Sequence, residues 1–254
     1  MTSDEDRELA RLAELHVSAA RACVEHFRTA PGFEIEADEA RAFNATYPIV
    51  AHSINQVAAA LILRDHGLDY VARANVRVAF EHALLAQSAV HTPEGEEPLI
   101  ASMNKLQRNM LRDLQTGGVE LSPEMLAEAA ARFTDPDAKI ADIADRFDGG
   151  KRLIYGLYRN LTGAVHASLA TIGAYMELCG EGQPPHLLRA AKPDTDPYHP
   201  LALGWSAVLS VSAVESFRIG DPYRDWINTM AAEQGLVPDL GPNGSARPTH
   251  AAGA

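Results

Sequence analysis

Two groups of residues in this 254-residue chain have the types and spacing that chemistry requires. The first lies in the run Tyr155-Gly-Leu-Tyr158-Arg159-Asn160-Leu-Thr162-Gly163-Ala-Val-His166. Arg159 and His166 return to one face of a continuous helix, but stand about 10 Å apart along its axis at a rise of roughly 1.5 Å per residue. That separation is too long for the two to share one phosphate easily. A break at Thr162-Gly163, where Asn160 or Thr162 could cap a new helix, would let them converge. Converged, they suit phosphodiester cleavage without a metal. A neutral His166 takes the proton of a ribose 2′-hydroxyl, and Arg159 holds the charge that builds on the phosphate. Histidine needs no special tuning to titrate near working pH.

The second group is Arg73, Arg77 and Glu81, which form one stripe at successive four-residue steps. Ala74, Val76, Val78, Phe80, Leu84 and Leu85 surround them, which places the charges on a partly buried helix. Buried charges must be paired, and Arg77 with Glu81 is the obvious pair. Two readings stay open: an ion pair that locks helices together, or a stripe that presents Glu81 or an arginine to a ligand.

Other chemistries lack their residues. The chain has no Gly-rich phosphate loop, no nucleophile elbow and no His-Glu-x-x-His. The Glu-His neighbours, Glu25-His26 and Glu81-His82, are adjacent and diverge around a helix, so a carboxylate-bridged metal centre is not expected. Cys23 and Cys179 lie in separate helical segments without a Cys-x-x-Cys pair and read as small buried apolar side chains. Neither a metal nor a cofactor is expected.

The elements that would position these residues are helical throughout. Leu9, Leu12, Leu15, Ala19, Cys23 and Phe27 recur at helical steps, which predicts a first helix over 3–29, ended by Pro31-Gly32. Further helices are expected over 37–66, with Gly67 as its stop, and over 68–90. The turn-rich stretch 91–98 follows. Helices are then expected over 99–115, over 123–133 with Ser122 as N-cap, and over 137–147. A strongly apolar segment over 151–178 carries the Thr162-Gly163 break. The proline-rich stretch 180–200 reads as an excursion over the surface, and helices resume over 201–217 and 222–234. Residues 236–254 are rich in Pro, Gly, Ala, Ser and Thr and read as a disordered tail. The fold class is all-α: a multi-helix bundle, one domain over 1–235 and a tail over 236–254. His52 and His82 sit on apolar helices and read as satisfied core residues, whereas His186 and His199 lie in the excursion and read as surface residues.

Composition narrows the partners. A net charge of −12 argues against broad electrostatic binding to nucleic acid or to an anionic membrane, so any such contact must be local. Polar residues interrupt the apolar stretch 49–63, so no membrane span is expected, and the acidic N-terminus does not read as a secretory signal. A cytoplasmic location is expected.

Arg159-Asn160 with His166 further on, in an all-helical chain, resembles the signature of the HEPN superfamily. The phrase from Tyr158 to His166, together with Arg77-x-x-x-Glu81, also resembles a bacterial HEPN-like domain family of unknown function. The resemblance covers about 68–178. It implies a metal-independent endoribonuclease of a toxin or antiviral defence module, with RNA as substrate, a site assembled across a homodimer and an antitoxin or other partner protein. Under it His166 is general base or acid, Arg159 the phosphate clamp and Asn160 the residue that orients either. Tyr155 and Tyr158 either stack on a base or pack. The alternative is a non-catalytic helical binding module for a small ligand or partner protein, with Arg73, Arg77 and Glu81 orienting it.

Overall fold

The computed structural model describes residues 4–132, 139–148, 151–166, 168–177, 179 and 183–241. Among these residues ten α-helices follow one another: α1 (Asp4–Thr29), α2 (Ala40–Asp65, after a single 3-10 turn at Ala37–Glu39), α3 (Asp69–His91), α4 (Glu96–Thr116), α5 (Pro123–Ala131), α6 (Ile140–Asp148), α7 (Leu153–Thr162), α8 (Leu169–Ala174), α9 (Tyr198–Glu215) and α10 (Arg224–Glu233). Between α8 and α9 the two-residue strands β1 (Met176–Glu177) and β2 (His186–Leu187) pair antiparallel, Met176 opposite Leu187. The chain is an all-α multi-helix bundle.

Helices α1, α2, α3 and α9 form the centre, with α9 packed against each of the other three. Almost every residue of α9 from Ala202 onward is buried, as expected of a helix that is apolar on all sides. Gly204 lets α1 and α9 meet: a Cβ there would lie 2.7 Å from the carbonyl oxygen of His16, so any side chain would force the helices apart. Phe80, Leu84, Leu161, Leu209 and Phe217 are the large side chains of this core. Helix α7 joins it through Ile154, Leu157 and Leu161 and rests on α3 and α6.

Local signals account for much of this. Ser122 caps α5, accepting from the Met125 amide at 3.2 Å, and Pro123 occupies the first turn. The stop at Gly67 has the left-handed φ of 71° that glycine adopts without strain.

The stretch Ala37–Asp65 is long and apolar enough to cross a membrane by length and composition only; in the fold it is mainly α2, packed against α1, α3 and α9. Other expectations need correction. The segment expected to be helical over 151–178 is two short helices and a strand. The excursion is not wholly on the surface, because His199 is buried and the Asp194 side chain is only 5% exposed. His52 is exposed rather than in the core, and His82 is half-buried with its Nδ1 atom lacking a partner.

The tail expectation also fails over 236–241. Leu236 and Asp239 are buried, Trp205 donates from Nε1 to the Val237 carbonyl at 3.0 Å, and the Leu240 amide donates to Gln87 Oε1 at 2.8 Å. Buried Gln87 and Trp205 need these backbone partners, which ties the chain down. The rest of the expected tail, 242–254, lies outside the described residues.

Candidate functional site

The site is built around α7, whose start is fixed by a buried carboxylate. Asp148 accepts from the Ile154 amide at 3.0 Å and from the Tyr155 amide at 3.2 Å, satisfying two otherwise unpaired donors of the first turn. With one face of the helix committed to the core, Tyr155 and Tyr158 fall at its flank, stacked with centroids 6.3 Å apart. Arg152, Arg159 and Asn160 reach solvent.

Three arginines contact these tyrosines, and they do so differently. Arg77 donates to the Tyr158 hydroxyl at 2.8 Å and pairs with Glu81 at 3.2 Å, its guanidinium lying 5.1 Å from the Tyr158 ring centre. It is therefore committed to structure, as the ion-pair reading expected. The exposed Arg152 and Arg159 lie 5.4 Å and 5.9 Å from the centre of the Tyr155 ring. Among the described residues, neither makes a hydrogen bond or an ion pair, so both keep their donors for something else.

Helix α7 ends at Thr162. The chain tightens into a 3-10 turn: the Gly163, Ala164 and Val165 amides donate to the carbonyls of Asn160, Leu161 and Thr162 at 3.1–3.2 Å. The turn closes on Ser168, which caps α8 by accepting from the Thr171 amide at 3.2 Å. The cap is thus Ser168, and not Asn160 or Thr162. Thr171 Oγ1 lies 3.1 Å from the carbonyl oxygens of both Gly163 and His166 and can donate its one proton to either, which holds the corner closed. His166 is exposed on this corner. Among the described residues no hydrogen bond engages its ring, and none joins it to Arg159. Both groups therefore stand exposed at the surface of the chain.

Asn160 is held from the excursion. Its Nδ2 donates to Asp196 Oδ2 at 3.0 Å, and the same oxygen accepts from Arg73 Nη2 at 3.1 Å. Arg73 also grips Asp194, and His199 Nδ1 lies 3.0 Å from Asp194 Oδ2. Burial alone would raise the Asp194 carboxyl, but His199, Arg73 and the Asp196 amide outweigh it and hold the group below the usual carboxylate range. Burial would lower Arg73, but Asp194, with Asp196 and Tyr70, outweighs it and raises the group. Arg73 therefore anchors the excursion; it is not presented to a ligand and does not share in the Arg77–Glu81 pair.

The sequence reading missed Asp194, Asp196 and His199, since Arg73 lies more than 120 residues before Asp194. A local signal existed in Asp-Thr-Asp-Pro: Asp196 accepts from the Tyr198 amide at 3.0 Å and so introduces α9.

Beside Asn160 a cavity of about 270 Å³ opens between α7 and the start of α9, lined by Arg152, Leu153, Gly156, Leu157, Asn160 and Tyr198. No group of three or more His, Cys, Asp or Glu among the described residues is placed to hold a metal ion. No protein-family model, curated protein or solved structure matches the chain.

Proposed function

We propose that the protein is a HEPN-like, metal-independent endoribonuclease of a bacterial toxin or defence module, acting at Arg159, Asn160 and His166. The observation that carries this reading is the contrast among the basic side chains. Arg73, Arg77 and Arg218 are consumed by carboxylates or carbonyls, and His26 is bonded to Glu215 at 3.0 Å. Arg159 and His166 are exposed and uncommitted among the described residues. A structural pair would be buried and bonded.

In the proposed step His166 accepts the 2′-hydroxyl proton and the 2′-oxygen attacks the adjacent phosphorus. The bond to the 5′-oxygen breaks, and that oxygen leaves with a proton from an imidazolium, giving a 2′,3′-cyclic phosphate. Arg159 offsets the charge on the non-bridging oxygens. Base and acid are both needed, and each chain supplies one histidine at this corner, so the site is completed across a homodimer. Val165, Leu169 and Ile172 are 43%, 87% and 52% exposed beside His166 and offer the apolar part of such a face. The test is incubation of purified protein with total RNA in EDTA. Cyclic-phosphate ends on the products are expected, and intact RNA under all conditions overturns the reading.

The cavity beside Asn160 favours a second reading, a non-catalytic module that binds a small ligand. Ligand binding without RNA cleavage separates the two.

A further inference from the structure

The cavity between α7 and the start of α9 adjoins the proposed cleavage site through Asn160, and its lining is specific enough to name an occupant. We propose that it is a nucleobase subsite, receiving one unstacked base of a single-stranded RNA whose phosphates lie along the exposed arginines of α7; this rests on the ribonuclease reading above.

Four observations carry the assignment. The first is charge. Residues 149–176 contain Lys151, Arg152 and Arg159 but no aspartate or glutamate, in a chain with 34 such residues. This is the kind of local basic stretch that an otherwise acidic protein needs to hold a polyanion. Arg152 and Arg159 both lie against the Tyr155 ring, at 5.4 Å and 5.9 Å from its centre, so two cations are held near one another beside the helix.

The second observation is the floor. Gly156 stands midway between Arg152 and Asn160 on the stripe that lines the cavity, and a Cβ built on it would meet nothing within 4 Å. A large side chain at this position would narrow the groove that the glycine leaves open. Glycine costs helix stability of about 0.5–1 kcal/mol relative to alanine, so open space here has a stability cost.

The third is the wall. Leu153, Leu157 and Tyr198 give the cavity apolar lining residues, and Tyr198 is 51% exposed. A flat, largely apolar base with polar edges suits such a slot, and an aromatic ring on its wall can stack on any base.

The fourth is the reader. Asp196 is a carboxylate and accepts only, so it must hold the amino end of the Asn160 amide. That leaves the amide oxygen and one amino hydrogen, an acceptor and a donor side by side, for the edge of a base. The site of about 270 Å³ falls just short of the usual small-molecule pocket, roughly 300–1,000 Å³, and suits one base rather than a larger ligand.

The test uses an eight-nucleotide 2′-O-methyl RNA, which lacks the attacking hydroxyl and so separates binding from cleavage, with inorganic polyphosphate as a probe of charge alone. Binding is followed by fluorescence anisotropy of labelled oligonucleotide and by competition with polyphosphate. Gly156→Leu should fill the slot and weaken oligonucleotide binding at least tenfold while leaving polyphosphate binding unchanged. Arg152→Ala should weaken both. Thermal melting checks the fold of Gly156→Leu, and Tyr198→Ala, outside the helix, provides a second route to the same loss. The proposal is overturned if both Gly156→Leu and Tyr198→Ala bind the oligonucleotide like the wild type, if Gly156→Leu loses polyphosphate binding as much as oligonucleotide binding, or if the wild type does not bind the oligonucleotide. Base-dependent binding without cleavage of ordinary RNA leaves this subsite standing and removes the ribonuclease reading.

Discussion

The guanidinium of Arg73 on α3 grips the carboxylate of Asp194 through two parallel hydrogen bonds, Nε to Oδ2 at 2.6 Å and Nη2 to Oδ1 at 2.5 Å. Both side chains are under 10% exposed. Bidentate pairing of this kind fixes orientation as well as distance. The loop before α9 is thereby docked on α3, and Asp196 is carried into reach of Asn160. The geometry of the candidate site depends on a pair that touches neither Arg159 nor His166.

Removing one partner of this pair should be costly. Arg73→Met leaves Asp194 buried with only His199 and a backbone amide to compensate it, and an unpaired buried charge typically costs about 3–5 kcal/mol. Urea unfolding should show a loss of that order. Because the Asp194 carboxyl is held below its ordinary value, its contribution is complete above the usual carboxylate range and is lost as pH falls below that range. Arg73→Met should therefore lose stability most at neutral pH and approach the wild type in acid. A uniform difference across pH would contradict this.

What could be read from sequence alone divides along the distance over which contacts act. Arg77–Glu81 and the Ser122 cap lie within four residues and were legible from local spacing. The Thr162-Gly163 break was legible in position but not in form, because Ser168 and Thr171 close the corner from beyond it. His199 was misread as a surface residue: prolines signal a loop, but they carry no information about the arginine that buries it. His52 was misread for the opposite reason, since α2 is apolar nearly all round and hides which face meets water. Asn160 was chosen for its place beside Arg159, and its link to Asp196 depends on tertiary packing alone.

His82 supplies a second pH dependence. Burial, and then the charge of His52 with ring centres 5.0 Å apart, lower its pKa from 6.5 to about 4. Between these values the unfolded chain binds a proton that the folded chain refuses, so stability falls as pH drops from 6.5 towards 4. His82→Phe should flatten that part of the curve. His16 is also lowered by burial and acts in the same direction, so the slope should shrink without vanishing. An unchanged slope in thermal melts from pH 4 to 7 would rule His82 out.

The segment 236–241 should behave as part of the bundle. Truncation after Gly235 removes the partners of Trp205 Nε1, Gln87 and Arg224. A buried donor or acceptor left unpaired costs about 1–3 kcal/mol, so a loss of several kcal/mol is expected in denaturant unfolding. The Leu240 amide should resist hydrogen exchange in the full chain, and fast exchange there would refute the docking.

Association follows from the proposed function. Leu169→Lys places a charge on the most exposed apolar side chain beside His166, and it should shift a dimer towards monomer in light scattering and lower cleavage in parallel. A wild type that stays strictly monomeric at micromolar concentration would remove the shared site, since one chain supplies one histidine there.

The chemical prediction rests on His166 and Arg159 having no structural duty. His166→Ala should lower RNA cleavage by about 10²- to 10⁴-fold, the usual worth of a general acid–base group, without changing the thermal midpoint, because its exposed ring supports no hydrogen bond among the described residues. Arg159→Ala should act similarly through lost stabilisation of phosphate charge, and Arg159→Lys should recover only part of the loss because a point charge cannot bind bidentately. Arg77→Ala provides the contrast: it removes the bond to Tyr158 and the pair with Glu81, so it should lower stability first and activity only through it. EDTA should leave wild-type turnover unchanged, since base and counter-charge both come from side chains. If His166→Ala cleaves RNA as fast as the wild type, the histidine is not the proton acceptor and the ribonuclease assignment falls.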